Sequence, residues 1–84
     1  MLRDDVEEIS AGTFQVDGGM PINEANETLG LDIPDGEYET VSGFILDMLA
    51  HIPSEGESFR YGKRWITVCE MKGVKIEKVQ ITKS

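Results

Sequence analysis

Val41, Phe44, Ile45, Met48, Leu49 and Ile52 recur at intervals of three and four in the middle of the chain. That spacing puts all six on one buried stripe of an α-helix over 40–53, TVSGFILDMLAHIP. Thr40 stands where an N-cap hydroxyl belongs, and Pro53 stops the helix by restricting the residue before it. Asp47, Ala50 and His51 fall between the apolar positions and face water. Gly43 lets the start of this helix approach the sheet closely.

Elsewhere the period changes. In 12–17, GTFQVD, Phe14 and Val16 alternate with Thr13, Gln15 and Asp17, which predicts a half-buried strand. Gly18-Gly19 closes it, since glycine takes positive φ without steric cost. Residues 21–29 place Ile22, Ala25 and Leu29 on one face of a short helix. Pro21 suits its first turn, Gly30 its left-handed C-terminal position, and Leu31 folds back on it. After the central helix the chain turns to strands over 58–61, 64–71 and 74–82, joined at Gly62-Lys63 and Lys72-Gly73. In 64–71, Trp65, Thr67, Cys69 and Met71 oppose Ile66, Val68 and Glu70. The alternation slips between Ile76 and Val79, where Glu77-Lys78 holds one residue too many, and a β-bulge absorbs the slip. The expected fold is α+β, a two-layer sandwich. A mainly antiparallel four-stranded sheet, with the Phe14 strand as its fourth member, carries two helices on one face.

At 84 residues the chain is one domain, and 39% apolar content is enough for a core. Sixteen Asp and Glu against eight Lys and Arg give a net charge of −8. That charge repels phosphate backbones and anionic lipid, which argues against nucleic-acid or membrane-surface binding and favours cations or a basic partner. No apolar run is long enough to cross a bilayer, so no direct membrane insertion is expected of this stretch. The single cysteine, Cys69, allows no intrachain disulfide and reads as a small buried hydrophobe. Residues 1–11, with Asp4, Asp5, Glu7 and Glu8 around only Val6 and Ile9, read as a linker or N-terminal arm ahead of a domain over 12–84.

Candidate chemistry is sparse. Residues 31–39 turn at Pro34-Asp35-Gly36 and carry Asp32, Asp35, Glu37 and Glu39. These four carboxylates read first as a plain polar connection between helices, with a divalent-cation site or a docking face for a basic partner as the sharper candidates. His51, the one histidine, reads as a cation at a helix C-terminus. One histidine and one cysteine far apart make neither a zinc site nor a catalytic pair, so no catalytic residue and no cofactor are assigned. An exposed Ile81 at a sheet edge would offer a surface for a homodimer.

Taken in order, these signals resemble the transporter-associated domain of the CorC/HlyC family. The matching segments are Val16-Asp17-Gly18, Pro21 to Asn26, Leu29-Gly30-Leu31 with Ile33-Pro34, Thr40 to Phe44, and Ile52-Pro53 with Gly56-Glu57. Together they cover roughly 12–82. The resemblance implies a fold similar to a subdomain of certain FAD-binding oxidases. It also implies a C-terminal accessory domain that follows paired CBS domains, often with a membrane domain, in magnesium and cobalt efflux or hemolysin-like proteins. On that reading the domain is non-catalytic and works at the cytoplasmic face of the cell membrane. It modulates transport by docking on the CBS and membrane domains of the parent polypeptide. The alternative is a small-ligand-binding domain for a divalent cation on the acidic loop or an adenine-type nucleotide, although no phosphate-binding loop is present.

Overall fold

The alternating stretches pair into one antiparallel sheet, and the two helical stretches supply the apolar stripes that cover it. The computed structural model describes residues 6–82. Within them run β1 (Val6–Ser10), β2 (Thr13–Asp17), α1 (Ile22–Leu29), α2 (Val41–Leu49), β3 (Ser58–Tyr61), β4 (Arg64–Lys72) and β5 (Lys75–Thr82). The strand order is β1-β2-β5-β4-β3. The sheet therefore has five strands where the alternation predicts four. The extra one lies in the stretch read as an arm, where Val6 is buried opposite Val16 of β2 while the four residues after it are exposed. An edge strand with a single buried residue leaves almost no periodic signal. The rest of that arm, residues 1–5, lies outside the described residues, as do Lys83 and Ser84.

The core is one cluster between sheet and helices. Val16, Ile66, Val68, Ile76, Val79 and Ile81 come from the strands, and Ile22, Ala25, Leu29, Val41, Phe44 and Ile45 from the helices. Each large apolar side chain so buried contributes roughly 1.5–3 kcal/mol relative to exposure. Ile81, expected at an exposed edge, is 1% exposed on β5, which is the central strand. It offers no surface for self-association.

The predicted slip in β5 is present and has a counterpart. Val68 faces Val79, Glu70 faces Lys78, and Met71 faces Ile76. Cys69 is thus the additional residue on β4 and Glu77 the additional residue on β5. The pair of irregularities moves Met71 to the core side, where it packs against the cluster, and leaves Glu70 exposed. Simple alternation had placed Met71 with exposed Trp65.

Helix α2 is shorter than its stripe. It ends at Leu49, because Ala50 takes a left-handed conformation at φ 60° and donates its N–H to the Leu46 carbonyl. Pro53 therefore lies beyond the helix end, in the turn that follows. Met48 and Ile52, expected inside, are 45% and 57% exposed. At the other end Thr40 caps as expected, its Oγ1 accepting from the Gly43 N–H at 3.2 Å. An added Cβ at Gly43 would stand 3.2 Å from Tyr38 Cβ, so this glycine accommodates the preceding loop and not the sheet.

Gly18 has a different reason from the one its sequence suggests. Neither Gly18 nor Gly19 has positive φ. Gly18 instead lies against β5, where a Cβ would sit 2.1 Å from the Ile76 carbonyl oxygen. Its N–H donates to Glu77 O at 2.9 Å and its carbonyl accepts from Ser42 N at 2.8 Å. Ile22 N to Glu39 O and Val41 N to Met20 O, both 2.9 Å, complete the stitching of the two helix starts to each other.

Candidate functional site

That stitching draws the start of α1 and the end of the interhelical loop together, and a cleft of about 540 Å³ opens between them. Pro21, Ile22, Asn23 and Asn26 line it from the helix side, and Asp35, Gly36, Tyr38, Glu39 and Thr40 from the loop side. Of the four acidic candidates the fold brings Asp35 and Glu39 to the cleft, and not Asp32 or Glu37.

The loop is fastened through its backbone. Asn26, part-buried on α1, grips Ile33 twice: its Nδ2 donates to the Ile33 carbonyl and its Oδ1 accepts the Ile33 N–H, each at 3.0 Å. The Tyr38 hydroxyl donates to Pro34 O at 2.6 Å. Two side chains from the sheet add longer bonds, Tyr61 Oη to Asp32 O at 3.4 Å and Arg64 Nη2 to Gly30 O at 3.2 Å. Phe44 joins these supports, its ring 5.3 Å from Tyr38 and 5.0 Å from Tyr61, both edge-on. Asn26→Ala should lower stability by about 2 kcal/mol, because both Ile33 backbone groups lose their partner. Urea denaturation measures that loss, and faster amide exchange at Ile33 locates it.

While its backbone is tied, the loop leaves its charges outward. Asp32, Asp35, Glu37 and Glu39 are all exposed, and among the described residues no ion pair or side-chain hydrogen bond engages their carboxylates. The Tyr38 hydroxyl beside them is pushed above its usual range by burial, and further by Tyr61, Asp47 and Asp35. Among the described residues no three His, Cys, Asp or Glu side chains come together in a group able to hold a metal ion. The four carboxylates of the loop thus do not converge as a ligand set.

His51 and Cys69 serve separate local roles. One His51 ring nitrogen lies 2.9 Å from the Leu49 carbonyl at the end of α2. The other lies 2.6 Å from the Glu57 carboxylate, a partner that sequence spacing did not reveal. Glu57 also accepts the Ser54 N–H, and these two contacts, the Ser54 bond first, hold its carboxyl below the usual range. Cys69 is half-buried in the β4 irregularity, and burial pushes its thiol up, away from the reactive thiolate. Among the described residues no helix is long and apolar enough to cross a membrane.

Comparison with known proteins places this arrangement. The model of the transporter associated domain, CorC_HlyC, matches residues 7–84. A polyamine export protein of Haemophilus influenzae is 36% identical over 72 residues, which cover 83% of this chain and 17% of that protein. A UPF0053 protein of Mycobacterium tuberculosis is 34% identical over 88 residues, with 89% and 19% covered. The chain thus spans less than a fifth of the length of these relatives. Among solved structures, a hemolysin domain from Enterococcus faecalis superposes with a TM-score of 0.88 at 28% identity, covering 95% of this chain and 98% of that one. A CorC_HlyC domain from a Xylella fastidiosa hemolysin, solved in complex with Mg and Mn ions, gives 0.83 at 28% identity with the same coverage. With the family model matching residues 7–84, the chain belongs to the transporter-associated CorC_HlyC domain family.

Proposed function

We propose that this domain is a non-catalytic accessory module of a larger ion transport protein, and that it modulates transport by docking on the rest of that protein. The observation that carries the reading is the acidic loop, tied down through its backbone by Asn26, Tyr38, Tyr61 and Arg64 while its four exposed carboxylates make no ion pair or side-chain hydrogen bond among the described residues. A pre-ordered charged surface loses little entropy on binding, so it suits an interface better than a mobile loop would. On a chain of net charge −8 it selects a basic counterpart. The counterpart is a basic surface on the CBS or membrane domains of the parent, which places this module on the cytoplasmic face of the membrane. Two further facts support the reading: the relatives are more than five times longer than the matched segment, and one is named for polyamine export. In the parent protein, removing residues 12–84 should alter ion or polyamine flux or its response to ligand, as measured in loaded vesicles. Unchanged flux and unchanged response would refute the docking role.

A second reading rests on the cleft and on the Mg and Mn ions in the Xylella fastidiosa relative. On it, Asp35 and Glu39 would attract a cation that keeps most of its water, as magnesium commonly does. Calorimetry with magnesium and cobalt separates the two: saturable heat that Asp35→Asn with Glu39→Gln abolishes supports the cation, and its absence leaves docking alone.

A further inference from the structure

Outside the loop and cleft, one cluster brings titratable groups together in a defined geometry: the turn that leaves α2. It begins with Ala50, the one non-glycine residue with positive φ among the described residues. Residues rarely hold such a conformation unless their surroundings enforce it. Here the enforcing contacts are explicit. The two His51 nitrogens face Leu49 O and Glu57 Oε2, and the two Glu57 oxygens face His51 and the Ser54 N–H, the latter at 3.2 Å. Pro53 is buried between them. The far end is bonded to β4, through Gly56 N to Val68 O at 2.7 Å and Val68 N to Glu57 O at 2.8 Å.

A neutral imidazole has one donor and one acceptor, whereas both groups facing this ring are acceptors. Only the doubly protonated ring donates to both. We infer that the turn 50–57 is a proton-dependent latch, closed when His51 is an imidazolium bridging the end of α2 to Glu57 and loosened when the ring loses its proton.

The surrounding charges agree with this reading. Glu55, on the same turn, accepts the Met71 N–H of β4 at 2.8 Å and so is turned to the strand. Asp47, on α2, is directed to the Tyr38 side. On β4, Glu70 stands opposite Lys78 of β5. The two halves of the latch respond to pH in opposite senses. The His51 half needs both ring protons, because Leu49 O and Glu57 Oε2 are both acceptors, and it opens when either proton is lost. The Glu57 carboxyl lies below its usual range, so its half is lost only as pH falls through that lowered value. Exposed Met48 stands just before the turn and exposed Ile52 lies within it.

Amide exchange with water, corrected for its intrinsic pH dependence, tests the latch on the 84-residue chain. Between pH 5.5 and 8.0 the Ser54 amide should lose about fivefold in protection, the effect of one modest hydrogen bond. Gly56, bonded to β4, should stay constant. His51→Gln should leave Ser54 weakly protected at both pH values, and Glu57→Gln should do the same. Protection at Ser54 that does not change with pH, a pH response that survives in His51→Gln, or an equal loss at Gly56 would each overturn the latch.

Discussion

Gly18→Ala is expected to destabilise the domain by about 3 kcal/mol, the upper range for forcing atoms into a packed site. For a domain of this size that lowers Tm by roughly 15 °C. The added methyl would meet the Ile76 carbonyl oxygen at 2.1 Å, and both partners are backbone, so no side chain can swing aside. Relief requires moving the backbone at Gly18 away from β5, which strains the Gly18 N to Glu77 O bond and the Ser42 N to Gly18 O bond together. Gly19→Ala is the control, because its Cβ would meet only the Asp17 carboxylate, at 3.2 Å. Thermal unfolding of the two variants should separate them clearly, and equal Tm values would contradict the close-approach explanation.

Phe44→Ala should cost more, about 4 kcal/mol, as large truncations in cores do. That is a large share of the total, which for a chain of this length is on the order of 5–10 kcal/mol. Phe44 is 2% exposed and anchors the α2 stripe in the cluster. It also joins two aromatic pairs worth about 0.5–1.5 kcal/mol each beyond burial. The consequence reaches the proposed docking surface. Tyr38 and Tyr61, which flank the Phe44 ring, are also the side chains that donate to Pro34 O and Asp32 O. Removing the ring should loosen the acidic loop while the protein is still folded, seen as faster exchange at 32–39 under native conditions. Phe44→Leu keeps most of the volume and should cost well under half as much.

Particular residues show where the sequence was readable. The 3.6 periodicity located Val41, Phe44 and Ile45 in the core, because a stripe on a helix has one place to go. It overreached at Ile52, since a left-handed alanine ended the helix before it and no local signal marks Ala50 for that role, and at Met48, which lies within the helix and is nonetheless exposed. Alternation found four strands and missed β1, whose pairing depends on a partner already in place. Asn26 and Glu57 lie in segments that carry the family resemblance, yet their partners, Ile33 and His51, stand seven and six residues away. Spacing along the chain does not reveal such contacts, because they form only when the turns between have closed. The acidic loop itself was plain in composition. That its backbone is fastened and only two of its carboxylates reach the cleft required the fold.

The central claim is that the outward carboxylates of this loop engage the parent protein. Its most direct measurement is flux through the parent carrying Asp32→Asn, Asp35→Asn, Glu37→Gln and Glu39→Gln together, beside the parent lacking residues 12–84. These exposed substitutions leave the fastening bonds of Asn26, Tyr38, Tyr61 and Arg64 in place, so the domain should keep its fold and its Tm. The neutralised loop should reproduce the altered flux of the deletion. Wild-type flux from the neutralised loop, with the deletion still altered, would contradict it.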